Sequence, residues 1–249
     1  MQIKAADDKQ PQVDALNVLL ARPDVDAATR RQIETEIRRI RAGAAGERDA
    51  AYEIEFHFGA NPSRMTIHDL RLDVDGRVAQ IDHLILTRLL DVWVLESKHF
   101  SEGVAVDEFG EWTGFFGRRP YGVGSPIEQN RKHVAVLQDA FAKGLIDLPR
   151  RLGFTLKPVV RSLVLVSKDA RVTRPKTKAA RARVEGLDNV IKVDQLLSYL
   201  DKDWNAKGIA DFRRLLSKGE VERLARDLVA LHRPTTIDWT ARFGLPATS

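Results

Sequence analysis

The stretch VAQIDHLILTRLLDVWVLESKHF, residues 78–100, contains two runs of apolar residues that are typical of adjacent β-strands. Among the ionisable residues within the stretch are Asp82, His83, Glu96 and Lys98. Charged side chains are rarely fully buried unless they are paired or bind a metal ion. The stretch therefore predicts a strand pair whose charged side chains have a role beyond packing.

Glu96 and Lys98 are expected to lie on the same face of one strand. Side chains two residues apart on a strand point to the same side, about 7 Å from each other. If residues 78–87 form the adjacent strand, Asp82 lies opposite or diagonal to Glu96. Two carboxylates and one ammonium group would then meet at one place on the sheet.

A divalent cation can hold two neighbouring carboxylates together, whose negative charges otherwise repel. Magnesium prefers oxygen ligands and retains several waters, so one or two carboxylates are sufficient. The ion lowers the pKa of a bound water, and a nearby lysine stabilises developing charge. Asp82, Glu96 and Lys98 are thus the minimum set for metal-assisted phosphodiester hydrolysis. The alternative is an ordinary ion pair on a solvated sheet face, with Asp82 at a strand end.

The composition favours a folded protein with a polyanionic partner. The 249-residue chain is 43% hydrophobic and has a formal net charge of +5, which is a weak indication of nucleic-acid binding. It contains no cysteine, which excludes disulfides, thiolate nucleophiles and zinc–thiolate sites. Neither a signal peptide nor an apolar run of about 20 residues is present. We therefore expect a soluble, cytoplasmic protein without a membrane partner.

The rest of the sequence predicts helices packed on a mixed sheet, an α/β fold. Asp75-Gly76 marks a hairpin, Ser125 and Glu128 mark the start of a helix, and residues 157–167 predict a buried strand. The remaining expected elements are helices at 11–22, 26–43, 45–59, 195–203, 208–216 and 218–232, a ribbon element at 105–116, an irregular loop at 118–124, an exposed loop at 168–183, a short strand at 189–193 and a loose tail at 234–249. Gly43 and Asp194 are expected helix caps.

Five segments, taken together, resemble one protein family. They are GERDAAYEIEF (46–56), GRVAQIDHLIL (76–86), VWVLESKHF (92–100), GEW (110–112) and SPIEQNRKHVAVL (125–137). Their order and spacing are similar to those of the nuclease-related domain, NERD, a branch of the PD-(D/E)XK nuclease superfamily. The resemblance is close over residues 44–142 and looser over 158–167. It implies a restriction-endonuclease-like fold, with an N-terminal helical extension (1–43), a NERD core (44–200) and C-terminal helices with a tail (201–249).

The resemblance also implies roles for individual residues. The residues that match catalytic positions of the family are Glu47, Asp82, Glu96, Lys98 and Gln129. Asp82, Glu96 and the backbone carbonyl of Ser97 would bind Mg²⁺ or Mn²⁺, and Glu47 would help to hold the metal or a water. Ile81 precedes Asp82 where the superfamily name has proline, but an apolar residue at this place fits the NERD pattern.

Several basic residues are candidates for nucleic-acid contacts. Arg118, Arg119, Arg131 and Lys132 could contact phosphates or be solvated surface charges. The largest basic segment carries Arg171, Arg174, Lys176, Lys178, Arg181 and Arg183. Non-specific affinity for nucleic acids comes mainly from such residues, although charge runs are also commonly solvated. We favour nucleic-acid contact for this segment because it follows a core strand of a nuclease-like fold.

Two functions remain open from the sequence. One is a magnesium-dependent nuclease acting on DNA, and the other is an inactive nucleic-acid-binding module of the same fold. The complete charged set favours the nuclease. The chain has neither a P-loop nor a zinc finger, so ATP-driven unwinding and site-specific cutting are not indicated. The choice between DNA and RNA, and any homodimer or partner protein, stay open. His83 is interpreted as an ordinary core or surface histidine, and Trp112 as a packing residue.

Overall fold

The fold is described from a computed structural model that covers residues 1–246. In chain order its strands are β1 (Gln2–Lys4), β2 (Arg64–Val74), β3 (Arg77–Thr87), β4 (Asp91–Lys98), β5 (Gly103–Val106), β6 (Trp112–Phe116), β7 (Arg119–Val123), β8 (Arg150–Arg151), β9 (Phe154–Thr155), β10 (Val159–Val166), β11 (Arg171–Thr173) and β12 (Val190–Lys192). Its α-helices are α1 (Gln10–Leu20), α2 (Ala27–Phe58), α3 (Pro126–Ala142), α4 (Lys178–Arg183), α5 (Leu196–Asn205), α6 (Lys218–Ala230) and α7 (Trp239–Arg242). None of the helices in this part of the chain is long and apolar enough to cross a membrane.

The main sheet has six strands in the order β1-β2-β3-β4-β10-β12. Strands β2, β3 and β4 form an antiparallel meander, whereas β1, β10 and β12 run parallel to their neighbours. The β2–β3 turn contains Asp75 and Gly76, both with positive φ (51° and 77°), as a two-residue hairpin turn requires. The predicted hairpin and adjacent strand pair are confirmed, and so is the predicted buried strand within residues 157–167.

Helices cover both faces of this sheet. Helices α3 and α6 pack on one face, where Leu84 and Val94 belong to their buried cluster. Helices α2 and α5 pack on the other face with Ile85 and Leu95. Successive residues of β3 and β4 thus face different apolar layers, so these strands have continuous apolar runs in the sequence. The predicted mixed-sheet α/β class is confirmed.

A second sheet has four strands in the order β11-β5-β6-β7. Its inner face packs on the end of the main sheet, where Trp112, Ile127, Val164 and Val166 belong to one buried cluster. Trp112 is therefore a packing residue, as predicted. The prediction of an irregular loop at 118–124 is wrong, because β7 forms there and pairs with β6. The ribbon of these two strands leads directly into α3.

The predicted helix end at Gly43 is wrong, because the 32-residue helix α2 continues through this glycine to Phe58. Two glycines interrupt the helical pattern, but tertiary packing outweighs their low helix propensity. Gly46 lies against His99, so close that a Cβ on the glycine would be 2.7 Å from the His99 Cβ. The division at residues 43 and 44 thus falls inside one helix. The three-part division of the chain stays a proposal.

The first residues of the expected helical extension form a strand. β1 pairs in parallel with β2, and the amino group of Met1 donates hydrogen bonds to the carbonyls of Phe58 and Asn61, both at 2.8 Å. Lys4 donates to the carbonyls of His68 and Asp69. The N-terminal segment is therefore bound along the edge of the main sheet.

The prediction of an exposed loop at 168–183 is wrong in part. β11 pairs with β5, and Thr177 caps α4 by accepting a hydrogen bond from the Ala180 N–H. Ala170 is buried and Val172 packs against the second sheet's cluster. These apolar residues pack the segment against the second sheet. They are isolated in the sequence and form no periodic pattern, so the sequence did not predict this packing.

Three expectations in the C-terminal part also require correction. Asp194 does not cap α5, whose N-cap is Gln195 without a side-chain hydrogen bond. Only a 3₁₀ turn (Asp211–Arg214) forms where a helix was expected at 208–216. Within the predicted tail, Trp239 is buried against α1 and α2, and residues 247–249 lie outside the described residues. The predicted capping box at Ser217 and Glu220 is confirmed.

Candidate active site

The β3–β4 register brings two carboxylates together. His83 pairs with Leu95 and Leu84 with Val94, so the same register places Asp82 opposite Glu96 one step further along. At this point the strands reach one cavity of about 450 Å³. The sequence-predicted site residues that border it are Glu47, Asp82, Glu96, Ser97, Lys98 and Gln129. The structure thus brings together residues from α2, two strands and α3.

Glu96 is the most buried acid of the site, with 1% of its surface exposed. Lys98 Nζ lies 2.7 Å from Oε1, and His133 Nδ1 lies 3.4 Å from Oε2. Neither carboxylate oxygen accepts a hydrogen bond of good geometry from the described residues. A buried carboxylate without hydrogen bonds is costly, so this group is well suited to binding a cation.

Asp82 is oriented by Ser97. One of its oxygens, Oδ2, accepts hydrogen bonds from the Ser97 backbone N–H at 2.8 Å and from the Ser97 hydroxyl at 2.9 Å. Burial raises the pKa of Asp82 well above its ordinary value, and the charges of Glu96 and Glu47 raise it further. The cluster therefore has an excess of negative charge that a metal ion would neutralise.

Glu47 reaches the site from α2. The close contact between Gly46 and His99 brings this part of the helix against the end of β4. Burial raises the pKa of Glu47. The positive charges of Lys9 and Lys98 oppose this rise, and the negative charges of Asp69 and Glu96 add to it. Glu47 is thus electrostatically part of the same carboxylate cluster.

Helix α3 supplies Gln129 and is fixed by the next residue. Ser125 caps the helix by accepting a hydrogen bond from the Glu128 N–H, as the sequence predicted. Asn130 is fully buried, and its side-chain amide donates to the carbonyls of Val94 (2.9 Å) and Leu163 (3.1 Å). This ties the first turn of α3 to β4 and β10, and thereby positions Gln129 at the cavity.

Three residues beside the site were missed by sequence reasoning. Asp69 is 3% exposed and adopts a left-handed conformation (φ 53°) that Asp tolerates better than most residues. Its carboxylate forms an ion pair with Lys9 and accepts a hydrogen bond from Gln80. These residues come from the N-terminal segment and two strands, and no local pattern links them.

His133 was also missed, although it lies inside a segment that carries the family resemblance. It stands one helical turn after Gln129 on α3, with its ring facing Glu96. The spacing of four residues on a helix was a signal that could have identified it.

A family model described as the nuclease-related domain matches residues 42–167, just over half of the chain. The chain belongs to the NERD family. No curated protein and no solved structure matches it. The NERD match contains every residue of the cavity named in the sequence analysis. It does not contain Lys9, so the N-terminal segment adds a charged group from outside the matched domain.

The donor set of this NERD site fits a magnesium or manganese ion only if water completes the coordination. Asp82 and Glu96 provide carboxylate oxygens, the donor type that magnesium prefers. Residues 1–246 contain no group of three or more His, Cys, Asp and Glu arranged to hold a metal. Protein side chains would therefore supply part of the shell, which is usual for magnesium.

The candidate nucleic-acid-binding residues of the NERD protein differ in their surroundings. Arg174 is partly buried and donates to the Val190 carbonyl, which fits a structural role. Arg183 pairs with Glu108 at 3.2 Å, and Arg131 pairs with Glu128 at 2.8 Å. Arg181 donates to the Pro175 carbonyl. The candidates that are exposed and form no ion pair with a described residue are Arg118, Arg119, Lys132, Arg171, Lys176 and Lys178.

His83, which follows Asp82, is a core residue, as predicted. It is 1% exposed, and its Nδ1 lies 2.8 Å from that of His68. His68 in turn contacts Glu55 at 2.8 Å. His83 therefore faces the layer under α2 and not the cavity.

Proposed function

We propose that this protein is a metal-dependent nuclease that hydrolyses phosphodiester bonds of DNA without reading a specific sequence. The observation that carries the proposal is the cavity bordered by Glu47, Asp82, Glu96, Lys98 and Gln129. The opposed carboxylates of Asp82 and Glu96 and the adjacent ammonium group match the arrangement expected of a restriction-endonuclease-like PD-(D/E)XK core. The NERD match supports the same class of reaction.

Asp82, Glu96 and the backbone carbonyl of Ser97 would hold Mg²⁺ or Mn²⁺. Bound there, the ion would supply a water of lowered pKa and positive charge for the phosphoryl oxygens. The hydrogen bonds from Ser97 fix the orientation of Asp82 and leave its other oxygen without a donor among residues 1–246. Glu96 is already paired with Lys98, but its oxygens accept no hydrogen bond of good geometry from residues 1–246, so they remain suited to bind the ion.

Lys98 is suited to stabilise charge on the reacting phosphate. It lies beside Glu96, with its side chain partly exposed to the cavity. Glu47 is suited to accept a proton from the attacking water, because burial brings its pKa closer to neutral pH. Gln129, at the first turn of α3, would hydrogen-bond to a phosphate oxygen or to the water.

The direct test is cleavage of linear duplex, circular duplex and single-stranded DNA, each with Mg²⁺, with Mn²⁺ and with EDTA. Glu96→Gln, purified in the same way, is the matched control, because it keeps the shape of the site and loses one metal-binding charge. We expect cleavage by the wild type only with a metal ion and none by Glu96→Gln. Equal cleavage by both would indicate a contaminating nuclease.

The alternative is a binding module without turnover. The exposed basic residues favour it no less than they favour the nuclease, whereas binding alone does not explain the opposed carboxylates of Asp82 and Glu96. Wild-type protein that binds DNA and leaves all three substrates intact with both metals would establish the alternative.

A further inference from the structure

The tip of the β6–β7 hairpin is a rigid two-residue turn. Gly117 and Arg118 both have positive φ (55° and 63°), the requirement of a type I′ turn. The Glu102 carboxylate accepts hydrogen bonds from both of their backbone N–H groups. The hairpin tip is thus fixed to the start of the second sheet.

Two aromatic side chains next to this turn are exposed on the same face of the hairpin. Phe116 is 72% exposed and Tyr121 is 46% exposed. Phe116 pairs with Arg119, and Tyr121 pairs with Gly114. Residues in diagonal positions of a strand pair are about 7–8 Å apart. The two rings are therefore neighbours on one surface.

Gly114 allows the Tyr121 ring to pack directly over it. A Cβ on this glycine would be 2.5 Å from Cζ of Tyr121, so the ring occupies the space that a side chain would fill. The ring thus covers the backbone at Gly114, and the rest of the side chain is exposed to solvent. An aromatic ring that is packed on the backbone and partly exposed offers a surface on which a nucleobase can stack.

The charges around the two rings suit a polyanion. Arg118 and Arg119 are exposed and form no ion pair with a described residue. Arg171 lies at the opposite edge of the same sheet and is also exposed. Aromatic rings beside unpaired arginines are the usual combination in single-strand-binding surfaces.

This surface lies on the same side of the main sheet as the candidate active site. Val164 and Val166 pair with Glu96 and Lys98 in the β4–β10 register, so their side chains share one face. The two valines belong to the cluster that packs under Trp112, on the face of β6 that carries Phe116. The second sheet, which carries the two rings, therefore packs on the face of the main sheet that also carries Glu96 and Lys98.

We propose that Phe116 and Tyr121 form a base-stacking platform, and that the substrate of this site is single-stranded DNA or a single-stranded segment of it. The substrate part of this inference rests on the proposed nuclease function. In a duplex the faces of the bases are covered by their neighbours, so the rings gain contacts only with unpaired bases. Stacking tolerates every base, in agreement with a nuclease that does not read sequence.

The test is DNA binding measured by fluorescence anisotropy in EDTA, where no cleavage occurs. A labelled oligonucleotide without self-complementarity is compared with its blunt duplex. Phe116→Ala should weaken single-strand binding about tenfold, the loss of one stacked base, and duplex binding less than twofold. Phe116→Trp should retain single-strand binding. Phe109→Ala is the matched control, because Phe109 is 83% exposed in the preceding turn and lies outside the platform.

Several outcomes would overturn the platform: no loss with Phe116→Ala, an equal loss for both DNA forms, or the same loss with Phe109→Ala. Binding of the wild type, but not of Phe116→Ala, to anionic phosphatidylserine vesicles, without any single-strand preference, would instead make the hairpin a membrane contact. If single-strand binding depends on Phe116 and the wild type cleaves nothing with Mg²⁺ or Mn²⁺, the platform stands and the nuclease proposal fails. If cleavage is metal-dependent and Phe116→Ala binds single-stranded DNA normally, the nuclease proposal stands and the platform fails.

Discussion

Ser97 donates two hydrogen bonds to the same oxygen of Asp82, one from its backbone N–H at 2.8 Å and one from its hydroxyl at 2.9 Å. Even so, burial, followed by the charges of Glu96 and Glu47, raises the pKa of Asp82 well above its ordinary value. A carboxyl pKa that is higher in the folded than in the unfolded protein means that ionisation opposes folding. This cost is absent below about pH 4 and grows as the pH rises towards the folded pKa.

Asp82→Asn should therefore stabilise the metal-free protein at neutral pH. The amide oxygen can still accept both hydrogen bonds from Ser97, and the opposing charge is gone. We expect the melting temperature in EDTA to rise by at least about 2 °C, the effect of roughly 1 kcal/mol in a chain of this size. The difference should shrink towards pH 4. Millimolar Mg²⁺ should raise the melting temperature of the wild type and leave Asp82→Asn unchanged; equal metal responses would contradict a metal site at Asp82.

Lys98→Ala should separate catalysis from binding. It removes a charge at the reacting phosphate and keeps both candidate metal carboxylates. Cleavage should fall by about 10²–10³-fold, the usual cost of losing one charge-stabilising group, while the dissociation constant for DNA changes less than about threefold. Lys202→Ala, at an exposed position of α5, is the control for a general effect of charge. A Lys98→Ala protein that cleaves normally would remove Lys98 from the reaction.

Two glycines of α2 give a matched pair for stability. At Gly43 the nearest atom to an added Cβ is 4.0 Å away, whereas at Gly46 it is the His99 Cβ at 2.7 Å. Gly43→Ala should raise the free energy of unfolding by about 0.5–1 kcal/mol through helix propensity. Gly46→Ala must displace α2 from β4, so it should lower stability by about 1–3 kcal/mol. It should also impair cleavage, because Glu47 moves with the helix. Urea unfolding of both variants decides the comparison.

The strands and α3 could be predicted from the sequence because their signals are local. The Asp75-Gly76 turn, the alternating faces of β3 and β4, and the Ser125 cap each lie within a few residues. The contacts that complete the site are not local. The left-handed Asp69 reaches Lys9, about 60 residues earlier in the chain, and Asn130 reaches two strands. Such contacts depend on the assembled sheet, and a single sequence carries no periodic sign of them.

The basic segment should contribute to DNA affinity through the residues that are not already engaged. Replacing Arg171, Lys176 and Lys178 with glutamine should weaken binding and reduce the slope of log K against log salt by up to about 2–3, since each lost phosphate contact releases one fewer counterion. Arg174→Gln should instead lower the melting temperature, because Arg174 donates to the Val190 carbonyl, and leave the slope unchanged. An unaltered slope in the triple variant would mean that the segment is only solvated surface. Cleavage at saturating DNA should survive in the triple variant.

Lys9 should influence Glu47 although it lies outside the matched domain. Its ion pair with Asp69 is largely buried on the Asp69 side, with 24% of the Lys9 side chain exposed. Lys9→Met leaves the Asp69 carboxylate without its cation. We expect a loss of about 1–3 kcal/mol, less than the 3–5 kcal/mol of a fully buried pair. The positive charge of Lys9 also lowers the pKa of Glu47. Removing this charge should therefore move the acidic limb of the plot of cleavage rate against pH to higher pH.

The double variant Lys9→Met/Asp69→Asn provides the control for this prediction. Asparagine tolerates the left-handed conformation at position 69, and the buried charge is gone, so much of the lost stability should return. Since the charge of Asp69 raises the pKa of Glu47, the acidic limb should also move back towards that of the wild type. Thermal melts and cleavage rates between about pH 5 and 9 measure both effects. If Lys9→Met lowers stability while the limb stays in place, Lys9 supports the fold alone and has no electrostatic influence on the site.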